Sequence, residues 1–237
     1  MRPGGFSSVG RNGTVAAGNN LSIDLGTTIE NLVGTPYNDT VTGNGANNSF
    51  SMGKGNNAVD GGAGIDTEIY GSFRSIYQVG QNAGTWHVTG SGTSDSLVNV
   101  ERAQFADAKL ALDLSGNAGE VAKILGAVFG PGSVAAHPDY VGIGLSLVDS
   151  GVSYANAAQY ALDAKLGAGF SNAQEVTLLY TNVVGTAPSA SDLAYYVSPL
   201  ENATQSHAGL AVFAAEQPLN AAHIDLVGLS QSGLAYT

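Results

Sequence analysis

The chain has no cysteine among its 237 residues, so neither a disulfide nor a thiolate metal site is open to it. It is therefore indifferent to redox compartment. Charge is sparse and lopsided: 8 Lys plus Arg stand against 19 Asp plus Glu, a net charge of −11. That balance argues against nucleic acid and anionic membrane surfaces as partners and suits cation binding. Its bland counterpart is solubility through self-repulsion. No run of ~18 apolar residues exists, so membrane insertion through a spanning helix is not expected. The opening Met1-Arg-Pro-Gly-Gly-Phe6 has no apolar run, and no cleavable signal peptide is expected. Export would then need an uncleaved signal.

Catalytic motifs are missing too. There is no G-x-S-x-G nucleophile elbow; Gly228-Leu229-Ser230-Gln231-Ser232-Gly233 comes nearest but has serine in place of the second glycine. There is no H-E-x-x-H. His87, His137, His207 and His223 are scattered, with no second histidine at i+3 or i+4 to make a helical metal pair. No catalytic residue is named, and the chain is expected not to be an enzyme.

Glycine is abundant, at 33 residues, and much of it is periodic. Residues 34–69 divide into four nine-residue units: GTPYNDTVT, GNGANNSFS, MGKGNNAVD and GGAGIDTEI. Asp39, Asn48, Asn57 and Asp66 all fall at the sixth position. Val41, Phe50 and Val59 fall at the eighth, where Glu68 breaks the apolar rule. A fixed short period predicts a solenoid, in which each unit buries its apolar side chain by stacking on neighbours. Glycines supply tight turns. Stacked turns bring sixth-position oxygens together, and convergent oxygens suit Ca²⁺.

The residues GGAGID at 61–66 resemble the start of the GGxGxDxUx repeat of the RTX family, the calcium-binding parallel β-roll of proteins exported by type I secretion. The resemblance implies that each unit makes a half-turn and that alternate units stack, pairing Asp39 with Asn57 and Asn48 with Asp66. Each pair holds one carboxylate where the family pattern gives two, which implies weak binding, at roughly 10⁻⁴–10⁻³ M. The expected metal residues are Asp39, Asn48, Asn57, Asp60, Asp66, Gly61, Gly62 and Gly64, with Ca²⁺ as the cofactor. Asp24 is a weaker oxygen candidate. The alternative is a metal-free solenoid in which amides hydrogen-bond between turns.

Residues 1–33 read as short strands and turns, including Ser22–Leu25 and Ile29–Val33; the abrupt β start suggests a piece of a longer chain. From 70 the period stops. Ser75–Val79 and Thr85–Thr89 alternate β-branched and aromatic residues and predict two antiparallel strands joined by a turn over Gly80–Gly84. Ser96–Arg102 and Leu110–Leu114 predict further strands of a β cap, with Trp86 and Phe105 in its core. Residues 115–237 predict helices. Asn117-x-x-Glu120 and Ser171-x-x-Gln174 read as capping boxes, Ser153 as a cap of Tyr154–Leu166, and Ser191 as a cap of Asp192–Val197 ended by Pro199. Asp139–Val148 looks glycine-broken; Ser206–Ala215 and Ala221–Leu229 close the series. Tyr180, Tyr195 and Tyr196 sit at helical spacing and read as core rather than as a glycan-binding surface. Asn117-Ala118-Gly119, 178–197 and 220–237 resemble a helical domain of unknown function found downstream of RTX repeats.

The expected architecture is α+β and multidomain: a short parallel β-roll or β-solenoid over 1–69, with repeats at 34–69, a β cap over 70–114, and an all-α helical domain over 115–237. The expected role is a non-catalytic calcium-binding C-terminal module of a secreted or cell-surface bacterial protein. It folds on Ca²⁺ outside the cell and supports export by the type I secretion machinery through an uncleaved C-terminal signal. The alternatives are a self-assembling surface-layer or filament protein, whose partner is a second copy, and an adhesive or glycan-binding module.

Overall fold

The computed structural model describes residues 6–8, 20–22 and 30–237. It is an α+β chain with two compact units, one of residues 1–113 and 230–234, the other of residues 114–229 and 235–237. The expected strand Ser22–Leu25 and Asp24 lie largely or wholly outside the described residues. Phe6–Ser8 (β1) and Asn20–Ser22 (β2) form an antiparallel pair.

The repeat segment makes short strands that pair in parallel with an offset of two units. Asn31–Val33 (β3), Ser49–Ser51 (β5) and Thr67–Ile69 (β7) are neighbours in one sheet, with Leu32 beside Phe50 and Phe50 beside Glu68. Thr40–Asn44 (β4) and Ala58–Gly62 (β6) are neighbours in another, with Val41 beside Val59. The pleat explains the alternation: Val41, Phe50, Val59 and Glu68 are buried while their strand neighbours are half-buried or exposed.

First-position glycines are fixed by close approach. A Cβ at Gly34 would lie 2.6 Å from the Met52 carbonyl oxygen, and one at Gly43 would collide with the Gly61 carbonyl. At the fourth position Gly55 and Gly64 take φ of +117° and +120°, a region that L side chains avoid.

The stacking does not stop at 69. Gln78–Asn82 (β8) and Thr85–Gly90 (β9) form a hairpin, after which Thr93–Val98 (β10) pairs in parallel with β6 and Arg102–Gln104 (β11) in parallel with β7. The expected strand Ser96–Arg102 is thus two strands in different sheets, broken where Asn99 takes φ +50°. The expected Ser75–Val79 strand starts later. Arg74–Ile76 is a 3₁₀ turn, held by the Asp107 carboxylate accepting the Arg74 N–H at 2.7 Å. The hairpin turn is Ala83–Gly84, not Gly80–Gly84. Positive φ at both residues (+49° and +82°) matches the twist of the strands, so β8 runs on through Gly80. Lys109–Ala111 (β12) pairs antiparallel with β11. Trp86 and Phe105 are buried, Trp86 donating its indole N–H to the Leu112 carbonyl at 3.1 Å. Tyr70, Tyr77 and Phe105 pack together with centroids 5.1–5.3 Å apart.

The second unit is helical. Asn117–Phe129 (α1) has Gly116, which carries no side chain, as its N-cap; Asn117 is already inside the helix, so the expected Asn117–Glu120 box does not form, and its amide donates to Asp149. Ser133–Ala136 (α2) is a short turn that the sequence reading missed. Pro138–Asp149 (α3) is continuous rather than glycine-broken. A Cβ at Gly144 would strike the Val121 side chain, so this glycine serves the packing of α3 on α1. Tyr154–Leu166 (α4) is capped by Ser153, and Asn172–Val184 (α5) by the Ser171–Gln174 capping box, ending at Gly185. Ala190–Glu201 (α6) differs from expectation: Ser189, not Ser191, makes the capping box with Asp192, and Pro199 lies inside the last turn. His207–Ala215 (α7) starts at Ser206. The expected Ala221–Leu229 helix is split into Pro218–His223 (α8) and Leu226–Ser232 (α9) at Asp225, whose φ is +50°. Leu234–Tyr236 (β13) ends the sheet order β13-β12-β11-β7-β5-β3. Among the described residues no helix is long and apolar enough to cross a membrane.

Candidate functional site

The strand offset places the sixth-position side chains in two rows. In the first, the Asn57 Oδ1 accepts the Asp39 N–H at 3.0 Å, across 18 residues of sequence. In the second, the Asp66 Oδ1 accepts the Asn48 N–H at 2.6 Å, again across 18 residues. Each row gains a member that the repeat does not contain. Asp95 Oδ1 accepts from the Asn57 N–H at 3.3 Å and from its amide at 2.8 Å, while Glu101 Oε2 accepts the Asp66 N–H at 2.8 Å. The rows are therefore Asp39–Asn57–Asp95 and Asn48–Asp66–Glu101. Fifth-position amides brace the same turns, with Asn38 accepting the Asn56 N–H and Asn47 the Ile65 N–H.

The first row satisfies its repeat-unit oxygens internally. Asp39 accepts the Thr35 N–H at 2.7 Å and the Thr35 hydroxyl at 3.0 Å, and the Asn57 amide is used on both sides. The second row does not. Asn48 Oδ1 accepts the Asn44 N–H at 3.0 Å, but Asp66 Oδ2 has no hydrogen-bond partner although Asp66 is 0% exposed. Burial pushes the Asp66 carboxyl above its ordinary range, opposed by the Asn48 N–H. Glu101 is raised likewise, by burial first, with the charge of Asp66 adding to it.

Of the other expected ligands, Gly61 is buried, and a Cβ there would collide with the Asn99 carbonyl and lie 2.6 Å from Asp66 Oδ2. Gly62 is the exposed last residue of β6, and Gly64 lies on the exposed bend that follows. Asp60 is half-buried on the opposite strand face from Val59 and accepts the Asn99 amide at 2.8 Å. Asp66 Oδ2 is thus a buried carboxylate oxygen without a hydrogen-bond partner, beside the Gly61 backbone. Among the described residues no three or more His, Asp or Glu side chains gather as a metal cluster.

The eighth-position Glu68 is the other unusual group. It is 1% exposed, between Phe50 and Ala103 in the sheet register. Burial pushes its carboxyl up to about 8, the Met52 N–H opposing and the charge of Asp95 adding.

The helical unit offers separate chemistry. Buried Glu175 is hydrogen-bonded to the His207 ring, and burial raises its carboxyl while His207 opposes. A cavity of about 400 Å³ is lined by Val176, Leu179, Tyr180, Val183, Tyr196 and Phe213. Tyr195 is not core: it is 72% exposed, its ring edge-on to Tyr196 at 5.0 Å, because adjacent helical residues cannot face the same way.

No family model matches the chain. No curated protein matches it. Among solved structures, the chain is similar over a limited stretch to the extracellular lipase LipA from Serratia marcescens, at 15% identity and a TM-score of 0.21. The match covers 34% of this chain and spans only 15% of that lipase.

Proposed function

We propose that the first unit is a short parallel β-roll whose stacked turns take up Ca²⁺, and that the chain is a non-catalytic, calcium-responsive module of a secreted bacterial protein. The observation that carries this is Asp66: a fully buried carboxylate with one oxygen spoken for and the other unpartnered, at the turn of the one unit with the full glycine pattern. Desolvating that oxygen without a partner is costly, and a hard cation would offset the cost. Asp66 and the backbone beside Gly61 would hold the ion, with Glu101 behind it through the Asp66 N–H. The bound ion would supply charge neutralisation, and its binding free energy would add to folding. Low Ca²⁺ would leave the rows loose; high Ca²⁺ would close them. Export through the type I machinery rests on the resemblance of GGAGID to RTX repeats.

The test is thermal unfolding of the full chain in excess EGTA and in millimolar Ca²⁺, for the natural protein and for Asp66→Asn. The natural protein should melt higher in Ca²⁺, and Asp66→Asn should lose most of that gain while keeping the Asn48 hydrogen bond. Equal melting in both media would remove the calcium role and leave a metal-free amide ladder.

A further inference from the structure

The helical unit leaves one helix with its apolar face only half covered. No residue of α6 is buried, although Leu193, Tyr196, Val197 and Leu200 recur at helical spacing and are all half-buried. This helix packs chiefly against α5. Beside it lies the cavity of about 400 Å³, walled by α5, α7 and α8 with Tyr196 from α6. Val184, Phe213 and Leu219 line it and are exposed. Single exposed apolar residues are ordinary, but three around one cavity make a patch. A second, more open hollow of about 770 Å³ lies between α6 and α7. Tyr196, Leu210 and Phe213 line both, so the two adjoin.

The two parts differ in chemistry. On the inner wall the Gln217 amide donates to the Phe213 carbonyl at 2.8 Å and the Tyr180 hydroxyl donates to Asp192 at 3.3 Å. With those groups engaged, the inner space suits an apolar chain. The outer hollow is lined by Ser191, Ser198, Thr204 and Gln205 as well as by Tyr195 and Tyr196. The Thr204 hydroxyl donates to the Pro199 carbonyl at 3.2 Å, which leaves its oxygen able to accept. Among the described residues no hydrogen bond engages the half-buried Gln205 amide or the Tyr196 hydroxyl. Among the described residues no charged side chain lines either part. Nearby charges are committed elsewhere: Glu216 pairs with Lys123, and Asp192 accepts the Ser189 hydroxyl at 2.7 Å. An ionic ligand would find no counter-charge here, and desolvating it would be costly. The net charge of −11 disfavours an anion further.

We propose that this two-part site binds a neutral amphiphile. Its alkyl chain occupies the inner cavity, and an uncharged hydroxylated head, of the kind a sugar presents, occupies the outer hollow. Tyr196 and Phe213 stand at the junction, and Gln205 supplies the head with a donor and an acceptor. The site lies wholly in the helical unit and does not depend on the calcium reading of the first unit.

Isothermal titration calorimetry of the full chain with n-octyl β-glucoside, kept below its micelle-forming concentration, tests this. One molecule should bind per chain. Glucose, the head alone, and octanoate, a similar chain with an anionic head, should each bind roughly tenfold more weakly or worse. Ala214→Leu adds bulk to the inner wall and should weaken the glucoside by roughly tenfold, while Gln205→Ala should weaken it several-fold. Far-UV circular dichroism confirms that each variant is folded; should Ala214→Leu fail to fold, Gln205→Ala and the two control ligands still decide. The proposal is overturned if the natural protein binds no glucoside, if octanoate binds as tightly, or if Gln205→Ala binds like the natural protein. A chain that takes up no glucoside and elutes as a dimer from size exclusion assigns the face to a second copy instead.

Discussion

Replacing Glu68 with leucine should stabilise the metal-free protein, by an amount that grows with pH. The folded-state carboxyl is raised from 4.5 to about 8, so the folded state holds its proton more tightly than the unfolded chain does. The stability associated with the protonated form is complete below pH 4.5 and is lost as pH rises through about 8. At ~1.4 kcal/mol per unit, the loss approaches about 5 kcal/mol by pH 8.5. Two further effects of the substitution oppose each other. Leucine adds burial worth about 1.5–3 kcal/mol, while the Met52 N–H loses its acceptor inside the fold at about 1–3 kcal/mol. Glu68→Leu should therefore match the natural protein near pH 4.5 and exceed it by about 5 kcal/mol at pH 8.5. Urea unfolding in EDTA at four pH values, followed by far-UV circular dichroism, reads this difference. Asp66, Asp95 and Glu101 are also raised and tilt both proteins, so the quantity to compare is the gap between them. A gap that does not change with pH, or a variant less stable at pH 8.5, would refute the assignment of a buried, raised carboxyl.

Three other expectations follow from geometry. Gly43→Ala pushes a methyl into the Gly61 carbonyl and should cost about 1–3 kcal/mol in urea unfolding, since backbone cannot step aside cheaply. Ser189→Ala removes the α6 capping box and should cost about 0.5–2 kcal/mol, whereas Ser191→Ala should leave stability nearly unchanged; equal costs would contradict the assigned cap. If the exposed Tyr195 and its neighbour bind sugars, Tyr195→Ala should abolish signal on a glycan screen; a natural protein that binds no glycan removes that reading.

The 18-residue spacing of Asp39 to Asn57 and Asn48 to Asp66 is legible because stacking alternate units is a counting argument. Asp95 and Glu101 escape that count, since the hairpin of β8 and β9 interrupts it and the next connection is shorter. A signal is there nonetheless: Gly90-Ser91-Gly92-Thr93-Ser94-Asp95-Ser96-Leu97 repeats the sixth-position acid and the eighth-position apolar residue. Glu68 is visible as an exception, but its complete burial is not, because the strand that covers its outer side, β11, arrives only after the hairpin. The α6 cap shows the limit of local pattern. Ser189 and Ser191 are equally good capping residues, and the choice falls to the one that Asp192 can reach back to from three positions on.

The hairpin has a practical consequence for anyone cutting this chain. A fragment ended at the last visible repeat would part β6 from β10 and β7 from β11, exposing one flank of each sheet at a stroke. The N–H groups of Asn57 and Asp66 would lose the carboxylates that receive them, and two open edges would invite pairing with other copies. A piece that keeps these pairings must run at least through β12, well past where the glycine rhythm fades, and the first unit also draws on residues 230–234.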